Sequence, residues 1–384
     1  MGMAFVVAFS GVRSVKTKTL AETARAEILS PVSESAYLMD FNSGTVIYAK
    51  NETERLPIAS MCKIMTLLLT FEAVDDGSLL LDDTIVVSSE AAGMGGSQIF
   101  LDANKPYCVR ELIKGVVVAS ANDASVALAE QICGSEDLFV AAMNEKCGAL
   151  GMNNTHFSNC TGLPKEGQYS CAEDVAVMFS ELLKHEDYFQ FSRIWMDEIR
   201  HENGRVTEIS NTNKLVRFYE GCDGGKTGYT SEAGHCLAAT AHRRGMRLVS
   251  VVIKAPDSKT RFNDVSTMMN YGFANFENKL ILDRERPLEI PVTVIGGKQD
   301  CVRGVPKESY YQFSAKNEKV ALNIDFIPDE NIKAPIGKGE KIGLLTIEKD
   351  GVLIKEIPVL AMESVEKQTY FDVVKNIIEN WSLF

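Results

Sequence analysis

Leu56-Pro-Ile-Ala-Ser-Met-Cys-Lys-Ile-Met-Thr-Leu-Leu-Leu-Thr-Phe71 is the stretch on which the reading of this chain turns. Only one of its sixteen residues is charged, Lys63. The apolar run predicts a helix from about Ala59 to Val74, buried over most of its surface. An unpaired ammonium in such a helix is costly and calls for a reason. Ser60 lies three positions earlier, one turn away on the same face. Desolvation lowers a lysine pKa, and a neutral amine beside a serine can take its proton. The helix start also offers backbone N–H groups to a developing oxyanion. A lysine that carries its charge out to solvent accounts for the same residues. The S-x-x-K spacing recurs at Ser364–Lys367 in polar surroundings.

Outward from this helix, Ala36–Asp40 and Thr45–Ala49 flank Asn42-Ser43-Gly44 and read as a hairpin. Helical periodicity recurs over Arg110–Val118, Ala124–Ile132, Glu136–Leu150 and Cys171–Lys184. Strands return at Gly234–His242 and Met246–Ala255 around Arg243-Arg244-Gly245, and an amphipathic helix follows over Thr260–Phe276. Strands, then helices, then strands predict an α+β domain with helices packed on an antiparallel sheet. After about Asp283 the segments become short and alternating: Leu288–Ile295, Tyr310–Phe313, Val320–Phe326, Lys341–Glu348 and Val352–Val359. The last two flank Asp350-Gly351, a strong hairpin signal. The expected organisation is a leader over 1–30, an α+β domain over 31–283, a small all-β domain over 284–367, and a terminal helix over 368–384.

The 384 residues carry 40 Lys+Arg against 52 Asp+Glu, a net charge of −12. That acidity argues against general nucleic-acid binding, which needs basic surface. No 18-residue apolar run encodes a membrane-spanning helix. The nine cysteines form no C-x-x-C pair, and the five histidines form no ligand cluster, so neither metal nor organic cofactor is expected. Met3–Phe9 is apolar and Ala24-Arg25-Ala26 reads as a cleavage site. Arg13, Lys16 and Lys18 come after the apolar run rather than before it, so the expectation is a secretory signal whose first residues are missing.

Two further triplets matter. Ser120-Ala121-Asn122 is the only S-x-N, at a break between apolar helical runs, where it could equally cap a helix. Lys226-Thr227-Gly228 is the only K-T-G, in a Gly-rich segment just ahead of an expected strand, and could be a solvated turn. It is not a phosphate loop, because G-x-x-x-x-G-K-[ST] would need Gly where Glu220 stands.

S-x-x-K, S-x-N and K-T-G in this order resemble the penicillin-recognising serine acyltransferases. The surrounding words are Leu56–Thr66, Val118-Ala-Ser-Ala-Asn-Asp-Ala, Thr161-Gly-Leu-Pro and Gly221–Thr230. They resemble the D-alanyl-D-alanine carboxypeptidases among the low-molecular-mass penicillin-binding proteins. The resemblance runs from about Ala36 through Phe276, and the β domain behind it is similar to that family's C-terminal domain. It implies a β-lactamase/transpeptidase-like fold and hydrolysis of peptidoglycan stem peptides ending in D-Ala-D-Ala, with β-lactams as covalent inhibitors. By the same resemblance Ser60 is the nucleophile, Lys63 its base, and Ser120 the proton relay to the leaving amine. Asn122 holds the substrate backbone, and Lys226 keeps the field positive. Thr227 with Lys226 meets the terminal carboxylate, and Gly228 lets the strand approach the peptide. The Tyr229 and Ser60 N–H groups form the oxyanion hole. Arg261 resembles a second carboxylate contact, against the alternative of a solvated arginine at a helix start.

Several positions depart from the family's commoner wording. Cys62 stands for Thr, Tyr229 for His, and Gln168 and Cys171 for His and Thr. Cys62, two positions from Ser60, faces elsewhere and is expected to pack. A serine β-lactamase shares the triplets, but the loop near Glu166 has the carboxypeptidase wording and the β domain disfavours that reading. A non-catalytic penicillin-binding sensor remains the other alternative. The resemblance implies an extracytoplasmic location. Over 369–384, Phe371, Val374, Ile377, Ile378, Trp381 and Phe384 form one apolar stripe, expected to lie on the membrane surface or against the β domain.

Overall fold

The structure is a computed structural model that describes residue 29, residues 32–318 and residues 320–374. The expected leader, apart from Leu29, lies outside the described residues, as do Ile377, Ile378, Trp381 and Phe384 of the terminal stripe. The chain divides into two compact units. One runs as far as Tyr271, without Met39–Thr45 and Ala241–Leu248; the other holds those two segments and continues from Gly272.

The central sheet is built from β1 (Ser35–Asp40), β2 (Val46–Lys50), β3 (Cys222–Thr230), β4 (Gly234–Arg243) and β5 (Met246–Ala255), in the order β2-β1-β5-β4-β3. β4 and β5 are joined by Arg244 and Gly245, whose φ values of 51° and 79° suit the tight turn of an antiparallel hairpin. β3 is the last strand of this sheet, so among the described residues one of its edges has no neighbouring strand. The K-T-G triplet lies inside β3, not ahead of a strand as the sequence suggested. Three glycines in nine residues weaken the strand propensity, yet a Cβ on Gly225 or Gly228 would collide with neighbouring backbone, and one on Gly224 would press on the Tyr188 ring.

Against this, α1 (Lys63–Asp75) is buried on nearly every side and packs on α2 (Asn122–Cys133) and α4 (Ala172–Leu182), with α3 (Glu136–Ala149) beside α2. The long apolar helix expected from Ala59 divides in two. Ala59–Cys62 winds as a tight 3₁₀ turn, and the α-helix proper begins at Lys63. The helix expected to end at Val118 also changes winding. From Gly115 to Ala119 it widens to a π turn, which stops at Ser120 in the left-handed region (φ 62°, ψ 34°). α5 (Ser258–Asn275) follows β5.

In the second unit, β6 (Phe276–Leu282) follows α5 without a break and pairs antiparallel with β8 (Tyr310–Ala315). Its pairing therefore groups it with the β-rich unit, eight residues ahead of position 284, where the sequence changes character. No Gly or Pro separates it from the helix, so the local pattern carries no boundary there. A four-stranded sheet orders β7 (Gly304–Pro306), β11 (Val352–Ala361), β10 (Lys341–Lys349) and β9 (Leu322–Pro328). Lys349 pairs with Val352 across Asp350-Gly351, with φ of 53° and 74° at the turn residues. Ile342, Leu345, Ile347, Ile357 and Val359 form the centre of its core. The expected strand Leu288–Ile295 shrinks to Val292–Thr293, because Pro287 and Pro291 interrupt the donor pattern that a ladder needs.

Candidate active site

Ser60 is held in a narrow place by two glycines. A Cβ on Gly162 would stand 2.1 Å from the Ala59 carbonyl oxygen and 2.9 Å from the Ser60 nitrogen. A Cβ on Gly228 would stand 2.5 Å from the Ile58 oxygen and 3.3 Å from the Met61 nitrogen. Only glycine allows both backbones so near. The 3₁₀ turn is thus clamped between the Thr161–Pro164 loop and β3. Ala59, just before the serine, has φ of +48°, a conformation that surrounding structure must impose.

Lys63 follows one turn later and is wholly buried. Its Nζ donates to Ser60 Oγ at 3.2 Å and to the Thr161 carbonyl. The side chain does not reach solvent. Burial pushes the ammonium down to about 8 from its ordinary value of 10.5. The nearby Asp123 carboxylate is engaged by the Ile99, Leu101 and Ala124 backbone N–H groups. An amine that is neutral in a useful fraction at neutral pH, against a serine hydroxyl, can take that hydroxyl's proton.

The other triplets converge on the same place. Lys226 Nζ donates to Ser120 Oγ at 2.7 Å and to its neighbour's carbonyl, Thr227 O, at 3.1 Å. Ser120 does not cap the helix: Ala121 is the capping position, and the Ser120 hydroxyl is spent on Lys226. Burial, then Lys63, then Arg261 drive the Lys226 pKa well below its ordinary value. Asn122 donates from Nδ2 to Gly95 O at 2.6 Å, and its buried Oδ1 has no protein partner, which leaves an acceptor for a substrate N–H. Arg261 is not solvated at the start of α5. It is 8% exposed and donates from Nη1 to the carbonyls of Gly228 at 3.1 Å and Cys236 at 3.3 Å. Tyr229 is 60% exposed and stacks on His235 with ring centres 4.4 Å apart. Arg261, buried and with little counter-charge around it, supplies a positive field for a carboxylate.

Cys62 packs, as expected. It is buried, donates to Asn159 O at 3.2 Å, and burial pushes its thiol up to about 12. Glu166 is exposed, and its backbone carbonyl accepts from Ser158 Oγ. The sequence reading overlooked the residues that shape the Thr161 loop. Asn159 Oδ1 accepts from the N–H groups of Thr161 (3.2 Å) and Gly162 (2.7 Å), and its Nδ2 donates to Leu163 O at 2.8 Å. Gln168 Oε1 accepts from the N–H groups of Ser158 and Asn159, both at 3.1 Å. These two amides fold the loop that offers Thr161 O to Lys63. The only local signal was the run of small and polar residues, Ser158-Asn-Cys-Thr-Gly162. At the start of β3, Gly225 N donates to Tyr188 Oη at 3.2 Å and Asn213 Nδ2 donates to Gly224 O at 3.2 Å.

Comparison with known proteins agrees with this geometry. Residues 21–257 match the family model of the D-alanyl-D-alanine carboxypeptidases, and residues 276–367 match that of the penicillin-binding protein 5 C-terminal domain. The chain is 41% identical over 361 residues to D-alanyl-D-alanine carboxypeptidase DacF of Bacillus subtilis, covering 94% of this chain and 92% of that one. It is 30% identical to DacA of Escherichia coli K12, covering 91% and 88%. Penicillin-binding protein 5 of Haemophilus influenzae superposes with a TM-score of 0.68 at 30% identity, covering 88% of this chain and 98% of that chain. PBP3 of Streptococcus pneumoniae, described as a peptidoglycan synthesis regulatory factor, gives 0.71 at 27% identity, covering 87% and 99%. With an α+β domain of this kind followed by the matching β domain, the chain belongs to the D-alanyl-D-alanine carboxypeptidase family and is a serine D-alanyl-D-alanine carboxypeptidase.

Proposed function

We propose that the enzyme removes the terminal D-alanine from peptidoglycan stem peptides through an acyl-enzyme on Ser60. The observation that carries this reading is the buried Lys63 amine, depressed to about 8 and 3.2 Å from Ser60 Oγ. Ser60 Oγ attacks the carbonyl carbon of the penultimate D-alanine, and its proton passes to neutral Lys63. The negative oxygen that forms is held by the N–H groups of Ser60 and Tyr229. The leaving D-alanine needs a proton on its nitrogen. Because Lys226 donates to Ser120 Oγ, the Ser120 proton is free to be given to that amine, and the proton that Lys63 took from Ser60 replaces it, which returns Lys63 to its neutral form. Water then attacks the ester, with Lys63 again as base, and the shortened peptide departs.

The remaining groups place the substrate. The terminal carboxylate lies against Thr227 and Lys226 in the field strengthened by Arg261. Asn122 Oδ1 accepts a substrate N–H, and the open edge of β3 takes the peptide as an added strand. Gly228 keeps that edge close to the Ser60 turn. Neither metal nor organic cofactor enters this scheme, and β-lactams acylate the same serine. Stem peptides lie outside the cytoplasmic membrane, so the enzyme works in the extracytoplasmic space, with the segment 369–384 as a peripheral contact to the membrane surface. No described helix is long and apolar enough to cross a membrane.

The test is incubation with a peptide ending in D-Ala-D-Ala and measurement of free D-alanine. Steady release supports a hydrolase acting on stem peptides. Stable acylation by a labelled penicillin without release of D-alanine would replace it with a penicillin-binding sensor.

A further inference from the structure

On the surface of the α+β unit, Trp195 and Phe218 stand with ring centres 5.7 Å apart, the edge of one against the face of the other. Phe218 is 71% exposed, and Met196, next to Trp195 in the chain, is 62% exposed. The Arg217 guanidinium lies over both rings, 5.4 Å from the Trp195 centre and 5.6 Å from that of Phe218. Among the described residues its side chain has neither an ion pair nor a hydrogen bond. Lys214, exposed at the start of the same short helical turn, is also unpaired. Asp197 and Asp223, on the segments that flank the rings, are already engaged, with Lys114 at 3.2 Å and Arg193 at 3.4 Å. None of the roles proposed so far uses Trp195, Lys214, Arg217 or Phe218.

The backbone holds this platform from beneath. Asn211 N donates to Trp195 O at 2.8 Å, and Asn211 Nδ2 to Ile194 O at 2.9 Å. Asn213 Oδ1 accepts from Leu215 N at 3.1 Å, which starts the helical turn, and Phe218 N closes it on Lys214 O at 3.1 Å. Large apolar side chains held in place yet left in water mark a contact surface. The same segment is tied to the active site. Asn213 Nδ2 donates to Gly224 O at 3.2 Å, two residues ahead of Lys226, and Thr212 N to Val118 O at 3.1 Å, two residues ahead of Ser120. The substrate peptide ends at Lys226–Thr227, whereas the platform joins β3 on the Gly224 side. A stem peptide in the cleft therefore leaves the platform uncovered.

We infer that the Trp195–Arg217–Phe218 platform is a second binding site, for the glycan strand of peptidoglycan, and that it holds the enzyme on its polymeric substrate. The face of a sugar ring presents polarised C–H groups, which suit the negative face of an aromatic ring. Hydroxyls and acetamido carbonyls at the sugar's rim accept from Arg217 and Lys214, whose donors are unspent. A cationic patch on a chain of net charge −12 also suits a polymer whose stem peptides end in carboxylates. Two rings and one methionine are too small for a stable protein interface, which takes about 800 Å² from each partner, but they match one or two sugar rings. The choice of polymer rests on the reading of peptidoglycan as the substrate.

The probe is immobilised glycan strands freed of their stem peptides, with polyglutamate as the charged control. Wild-type enzyme should bind the glycan, and Phe218→Ala and Arg217→Gln should each weaken that binding about tenfold. Both variants should release D-alanine from a soluble peptide at the wild-type rate, which also reports an intact fold. Their release from intact peptidoglycan should fall about tenfold, because only a polymer gains from a second contact. Wild-type enzyme that ignores the glycan, or variants that bind it unchanged, would overturn the site. Equal binding to polyglutamate would also overturn it, by reducing the patch to a charged surface. No D-alanine from the soluble peptide would overturn the hydrolase instead, while glycan binding weakened in both variants would still support the platform.

Discussion

Lys226 Nζ and Ser120 Oγ are 2.7 Å apart although 106 positions separate them in the chain. The bond joins an edge strand to the residue that ends a π turn in a left-handed conformation. It gives one of two buried lysines a partner and leaves the Ser120 hydroxyl hydrogen for another acceptor. Two lysines buried so close together destabilise the fold; burial of this kind persists where function requires it.

Ser120→Ala should lower kcat for D-alanine release by about 10² to 10³, the usual range for a positioned proton donor. Ser120→Gly should be as inactive yet more stable, because glycine accepts φ of 62° without strain. Thermal melts and single-turnover rates on both variants check this. Equal stability would show that the left-handed residue carries no strain.

The pH dependence follows from Lys63. Its folded pKa is lowered to about 8 from 10.5, and the active form is the unprotonated amine. Acylation is therefore lost as pH falls through about 8, and about one enzyme in ten is competent at pH 7. The rate constant for penicillin acylation should rise nearly tenfold between pH 6 and 7 and level off above 8. Lys63→Arg should be as damaging as Lys63→Ala, since guanidinium does not release its proton in this range. Near-native acylation by Lys63→Arg would reduce the lysine to a source of charge.

A labelled penicillin should attach in one-to-one ratio, and Ser60→Ala should abolish the label. The competing nucleophile is Cys62, but its thiol, pushed up to about 12, is almost entirely protonated at pH 7. Mass spectrometry that places the adduct on Cys62 would remove Ser60 from the reaction.

Gly162→Ala tests the clamp on the serine turn. The new methyl would meet the Ala59 oxygen, and φ of +79° adds backbone strain of about 1 kcal/mol or more. Acylation should drop at least a hundredfold while the circular dichroism of the folded protein persists. A variant with unchanged acylation would show that the loop can retreat without moving Ser60.

Deleting residues 369–384 should leave D-alanine release from a soluble peptide intact and abolish co-sedimentation with lipid vesicles. The described start of this segment exposes Tyr370 (79%) and Phe371 (82%), large apolar rings facing solvent. Full-length protein that ignores vesicles, or a truncated protein that unfolds, would assign the segment to the β unit's own packing.

Much of this protein was legible in local sequence. The apolar run after Ser60 announced a buried helix with one anomalous lysine, and periodicity located the strands Gly234–Arg243 and Met246–Ala255. Asp350-Gly351 marked its hairpin, because two positive-φ residues leave few other choices. These features depend on neighbours within a few residues, so the chain's own order reveals them. The order of three short triplets also pointed to the family, since each supplies a different chemical group.

What only the tertiary structure decided lies in contacts across long stretches of chain. β3 is a strand although its composition argues against one, because Gly225 and Gly228 are each required by neighbouring backbone pressing close. Asn159 and Gln168 gained their importance from hydrogen bonds that fold one loop, and that loop serves Lys63, 98 positions away from Thr161. Arg261 reads as either a carboxylate contact or a solvated residue until α5 turns it toward the Gly228 and Cys236 carbonyls. The pKa of Lys63 belongs to the same class. A sequence states that a lysine is present in an apolar helix, but the desolvation that makes it a base depends on how completely the other elements close over it.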